Sequence, residues 1–112
     1  MANEFRNRTL TGVGTSAATL YATPDGKTSI VLELDLANTT SNVVEASVEL
    51  LDYSIHPSTG WRYIVKNAPV PAGGTLQVVA GQKIILEATD IVKVTATGAV
   101  DVVAAILEDV NS

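Results

Sequence analysis

A chain of 112 residues with 46% hydrophobic content, twelve acids against seven bases and no cysteine has room for one domain with its own core. The missing cysteine excludes a disulfide framework, a thiolate metal site and a cysteine nucleophile. The formal charge of −5, with Lys and Arg never clustered beyond Arg6 and Arg8, argues against nucleic-acid or anionic-membrane partners, which draw on several cations.

Residues 1–8 read as a short N-terminal arm and residues 9–112 as the domain. The arm has no apolar segment, so no secretory leader is expected, and no apolar run approaches the ~20 residues that span a bilayer. Thr9–Val13 and Ala17–Thr23 are expected strands, followed by a turn at Pro24-Asp25-Gly26-Lys27, where Pro presets φ and Gly accepts the left-handed position. Ser29–Ala37 alternates strictly, with Ile30, Leu32, Leu34 and Leu36 on one face and Val31, Glu33 and Asp35 on the other. A polar loop, residues 38–42, is expected to close a hairpin to Val43–Tyr53, where Val44, Ala46, Val48 and Leu50 face inward.

After the turn at residues 56–60, Trp61–Ala68 returns with Trp61, Tyr63 and Val65 opposite Arg62, Ile64 and Lys66. The segment Pro69–Gly74 carries two prolines and suits only a crossover or an exposed edge. Leu76/Val78 and Ile84/Leu86 mark two strands around Ala80-Gly81-Gln82, and residues 91–96 and 99–107 form a last hairpin around Thr97-Gly98. Short strands with turns about every ten residues indicate an all-β fold. The expected fold is a single small antiparallel β-sandwich, jelly-roll or immunoglobulin-like, of about eight strands.

The inventory for chemistry is thin. The sole histidine, His56, precedes a proline in a turn, with no nucleophile marked on a strained bend. The acid pairs Glu33/Asp35 and Glu45/Glu49 are spaced for solvent-facing positions, and only Asp25-Gly26 hints at a calcium loop. Gly12/Gly14 and Gly73/Gly74 do not open a helix, so no phosphate cradle is indicated. Trp61, Tyr63, Tyr53 and Tyr21 could make a sugar platform, but five aromatics in all are sparse. No catalytic residue, metal site or cofactor is expected. Seven apolar residues fall where a one-faced sheet would be polar: Val31, Leu51, Ile64, Val79, Val103, Ala105 and Leu107. That excess points to strands buried on both sides or to a subunit interface.

Ala18–Thr40, Val65–Ala96 (V-K-N-A-P-V-P-A-G-G-T-L-Q-V-V-A-G-Q-K-I-I-L-E-A-T-D-I-V-K-V-T-A) and the tail Ala99–Glu108 together resemble small β-sandwich virion proteins of tailed bacteriophages. The resemblance runs over most of the chain from Thr9. It departs at Thr89, where those proteins often carry Gly before the Asp. The resemblance implies a non-enzymatic structural role in a virion assembled in host cytoplasm. A capsid decoration (cement) protein, trimeric and bound to the major capsid protein, is the first expectation. A neck, tail, baseplate or fibre-attachment component bound to other virion proteins is the second, and a carbohydrate-binding module the third. The partner-binding residues expected are Phe5, Arg6 and Arg8 of the arm, with Trp61, Ile64 and Leu107.

Overall fold

A computed structural model describes residues 4–108. Eight strands follow in chain order: β1 (Glu4–Val13), β2 (Ala18–Ala22), β3 (Ser29–Asn38), β4 (Val44–Leu51), β5 (Trp61–Val70), β6 (Thr75–Leu86), β7 (Ile91–Ala96) and β8 (Val100–Glu108). Alternating apolar and polar residues let each central strand bury one face and wet the other. No helix occurs among the described residues.

The strands form two four-stranded antiparallel sheets, in the orders β1-β8-β3-β6 and β2-β7-β4-β5. That order is an eight-stranded jelly roll, which settles the choice between jelly-roll and immunoglobulin-like topology. Two expected hairpins are corrected by it. The loops at residues 38–42 and 97–98 carry the chain across the sandwich, because β3 and β8 lie in one sheet and β4 and β7 in the other; only β4–β5 is a hairpin of sequence neighbours. Asn38 fastens the first crossover. It is buried, its Nδ2 donates to the carbonyls of Asn42, Val70 and Pro71, and its Oδ1 accepts from Thr40 N.

Bulges change which residues face the core. Both partners of β3 shift register between Val31 and Glu33, so Val31 points inward and the inward parity resumes at Leu34 and Leu36. Val79 is likewise a core residue. Leu51 is buried but lies outside the main core cluster, opposite Trp61 and Ile91. Three corrections follow: Val31 and Val79 belong to the core and Ile64 packs against it, rather than facing outward. Leu20 and Tyr21 are both buried across the β2 register shift. Ala80–Gln82, read as a break, is a bulge inside a continuous β6. The glutamates also separate, since Glu33 and Glu45 belong to different sheets.

The arm is corrected from Glu4 onward: Glu4–Arg8 are the first half of β1, paired with β8 in unbroken register. Met1–Asn3, the rest of the expected arm, lie outside the described residues. Pro69 sits on the edge strand β5, where its missing N–H costs no ladder bond.

At the β6–β7 turn, Asp90 is buried and its carboxylate accepts from Tyr53 N and Glu87 N, tying this turn to the end of β4. Thr89 before it has φ 67, the left-handed region that penalises a β-branched residue. Thr89→Gly should relieve roughly 1–2 kcal/mol of that strain against ~0.5–1 kcal/mol of added unfolded-state entropy. The expected result is a small rise in the urea midpoint at constant m-value; a fall would show that the Thr89 side chain contributes more than its backbone conformation costs.

Candidate docking surface

The outer face of β1-β8-β3-β6 is apolar at one end. Across the four strands, Phe5 lies opposite Leu107, Leu107 opposite Ile30, and Ile30 opposite Ile85. Directly opposed residues share a face, so these four make one transverse row. Phe5 is 78% exposed and Ile85 55%. Val103, 53% exposed, and half-buried Ala105 continue the apolar surface along β8. A contiguous apolar patch on a water-facing sheet is a candidate interaction site.

Two acids sit beside this row. Glu33 lies opposite Ala105 and Ala80, and Asp35 opposite Val103 and Gln77. Hydrogen bonding to Asp35 and repulsion by its charge push the Glu33 carboxyl above the ordinary range. Asp35 Oδ1 is buried with no hydrogen-bond partner among the described residues.

Of the expected partner-binding residues, Phe5 and Leu107 come together. Arg6 and Arg8 do not join them, because alternation turns them to the opposite face of β1. There Arg6 ion-pairs Glu108 at 2.7 Å and Glu4 at 2.9 Å, and the Arg8 guanidinium lies 5.6 Å from the Tyr21 ring centroid. Trp61 and Ile64 are on β5, in the other sheet; Ile64 packs against the core and Lys93 Nζ lies 4.1 Å over the Trp61 ring. Ile30 and Ile85 escape sequence reasoning. Their signal was present in the doublets Ile30-Val31 and Ile84-Ile85, which place apolar side chains on both faces of a strand.

Behind the row, Tyr21 closes the end of the sandwich. Its hydroxyl donates to Glu108 Oε2 at 2.5 Å and shares a 3.0 Å hydrogen bond with Ser29. Burial, with the carboxylate as acceptor, pushes the phenol up to about 12. The Tyr21 hydrogen bond, with help from Arg6, holds Glu108 below its ordinary range. A lowered folded-state pKa contributes stability above the unfolded value of ~4.3, and that stability is lost as pH falls through the folded value. Tyr21→Phe should therefore cost roughly 1.5–3 kcal/mol at pH 7 and less in strong acid, once Glu108 is protonated in both proteins. Urea unfolding at the two pH values checks this; a penalty independent of pH would assign the loss to packing rather than to the carboxylate.

The remaining chemistry-bearing groups do not converge. Tyr21 is buried, Tyr53 lies in the β4–β5 loop, and Tyr63 sits under Lys66, 5.2 Å from its ring; the four aromatics form no common platform. His56 Nδ1 accepts from Ser58 N and Thr59 N in its turn. A shallow groove of about 220 Å³ on the second sheet is lined by Glu45, Ser47, Asn67, Thr95 and Thr97, among others. Asp52, Glu87 and Asp90 bring carboxylate oxygens within 4.8 Å, but both oxygens of Asp90 already accept backbone N–H groups.

No protein-family model matches this chain, and no curated protein does. Solved structures resemble it at low identity. One comes from the work reporting that Bacillus endospore appendages form a novel family of disulfide-linked pili: 18% identity, TM-score 0.47, covering 99% of this chain and 88% of that one. Another is a chain of infectious bursal disease virus, Gx strain, at 14% identity and TM-score 0.46, covering 97% of this chain and 33% of that one. A mutant VP2 protein of the same virus, in derived T=1 particles, gives 13% identity and TM-score 0.34 over 93% of this chain and 39% of that one. This chain thus spans well under half the length of the two viral chains. At these identities the likeness is one of fold alone.

Proposed function

We propose that this chain is a non-enzymatic structural protein of a tailed-bacteriophage virion, a capsid decoration protein that docks on the outer surface of the shell. The observation that carries the reading is the apolar row Phe5–Leu107–Ile30–Ile85 on a rigid, water-facing sheet. A jelly roll presents such a face without moving parts, and an apolar surface of this kind favours a protein partner over a small substrate. The resemblance of the segments over residues 18–40, 65–96 and 99–108 to small phage virion proteins supplies the particle. The net charge of −5 favours the outside of the shell over its DNA-facing lining, since phosphate repels an acidic surface. Held in many copies, modest contacts of this size add by avidity and oppose expansion of a pressurised shell.

Particles of the virus that encodes the chain, separated into heads and tails, test this. The expected result is many copies on every head, released by Phe5→Asp or Ile85→Asp without unfolding of the free protein. Recovery with tails alone would move the protein to the neck, tail or baseplate, and absence from the particle would end the reading.

A further inference from the structure

The two sheets have four border strands: β1 and β6 in one, β2 and β5 in the other. A border strand presents unpaired N–H and C=O groups, and natural proteins blunt it by shortness, bulges, proline or charged side chains. Three of the four are blunted in the backbone itself, whereas β1 from Glu4 to Leu10 is blunted only by charged side chains, of both signs. β2 has five residues and a register shift between Thr19 and Tyr21. β5 carries Pro69 and a left-handed Asn67, φ 51. β6 is bent at Gly81, φ 117, and Lys83, φ 58. β1 differs from all of them. From Glu4 to Leu10 it runs in unbroken register along β8, its far side is open, and every residue but Leu10 in that stretch is exposed.

We infer that β1 joins two copies of this chain, paired antiparallel about a two-fold axis at Arg6, so that two β1-β8-β3-β6 sheets become one continuous sheet. The charges select both the partner and the register. With Arg6 at the axis, Glu4 lies opposite the partner's Arg8 and Arg8 opposite the partner's Glu4, two complementary pairs on one face. Arg8 has no ion pair within its own chain among the described residues, and its stack on Tyr21 leaves it near the strand. The two Arg6 side chains meet at the axis, each held by its own Glu108, while Glu4 is shared between its own Arg6 and the partner's Arg8. With the axis at Asn7 instead, Arg6 would oppose the partner's Arg8 twice. On the outer face the two Phe5 rings become diagonal neighbours near the axis, and the apolar rows of the two copies merge. This pairing does not depend on a viral role, and it replaces the trimer that the resemblance implied with a two-fold dimer.

Sedimentation equilibrium of the full chain should give twice the 11.7 kDa chain mass. Arg8→Glu alone and Glu4→Arg alone should each weaken the dimer at least tenfold, and Glu4→Arg with Arg8→Glu together should restore it, because the swap recreates both cross-axis pairs. Because the sequence has no cysteine, Arg6→Cys supplies a second, covalent readout. Opposed Cβ atoms in an antiparallel pair are ~4.5–5.5 Å apart, so mild oxidation should link Arg6→Cys chains quickly and Thr9→Cys chains hardly at all. A monomeric or trimeric native mass, a folded double variant that stays monomeric, or equal cross-linking at both positions would each overturn the inference.

Discussion

Ile106→Ala should destabilise the protein by about 2–5 kcal/mol and lower Tm by roughly 10 °C or more. Ile106 has no exposed surface. It stands on β8, which pairs with β1 on one side and β3 on the other, opposite Arg6 and Val31. Strands fixed on both sides cannot close over the space that the removed side-chain atoms leave, so lost transfer energy and a cavity term add. The internal control is three residues earlier on the same strand. Val103 points outward and is 53% exposed, so Val103→Ala should change stability by no more than ~0.5 kcal/mol. Urea unfolding of both variants decides the matter. Similar losses at the two positions would mean that the parity of β8 is wrong, and with it the apolar outer row.

Gly60→Ala is expected to cost about 2–3 kcal/mol by overcrowding the β4–β5 loop. A Cβ at this position would fall far inside van der Waals contact with the carbonyl oxygen of Asp52 and 2.8 Å from that of His56. Both are backbone atoms, so neither can swing aside as a side chain would. The same two residues are tied to Gly60: Asp52 N donates to the Gly60 carbonyl at 2.9 Å, and Gly60 N donates to the His56 carbonyl at 3.2 Å. Making room therefore means giving up hydrogen bonds at the base of the one hairpin in the fold. Gly26→Ala is the comparison. Gly26 has φ 71 and open space around its would-be Cβ, so only left-handed strain of ~1–2 kcal/mol applies. Thermal melts should rank Gly60→Ala clearly below Gly26→Ala. The reverse order would refute the close approach at Gly60.

Much of the fold could be read from alternation and turn residues alone, because strand spans depend on local pattern. Ser29–Ala37, residues 91–96 and residues 99–107 fall on strands within a residue or two at each end. What could not be read depends on neighbours in space. A bulge reverses parity only when the partner strand holds one residue more or fewer, so the inward turn of Val31 and the continuity of β6 through Gly81 have no local signature. Thr97-Gly98 makes a plausible turn in any setting, and nothing in it specifies that β8 joins the opposite sheet. Only the first half of β1, Glu4–Arg8, reads as an arm, because a border strand with both faces wet need not alternate. The docking row was half visible for the same reason: Phe5 and Leu107 stand out singly, whereas Ile30 and Ile85 hide inside apolar doublets until register aligns them. The Tyr21–Glu108 bond joins residues 87 apart and belongs wholly to the tertiary structure.

Six of the seven connections between successive strands pass from one sheet to the other. Almost no pairing can therefore form until distant parts of the chain have met, and the entropy of closing long loops is spent before most ladder bonds begin to compensate. Refolding should accordingly be slow for so small a polypeptide, on the order of milliseconds to seconds. The β4–β5 ribbon is the natural seed, being the only piece whose halves lie next to each other in the chain. Until β8 slots between β1 and β3, the row that begins at Phe5 does not exist, so newly made chains stay unable to associate through it until they have finished folding.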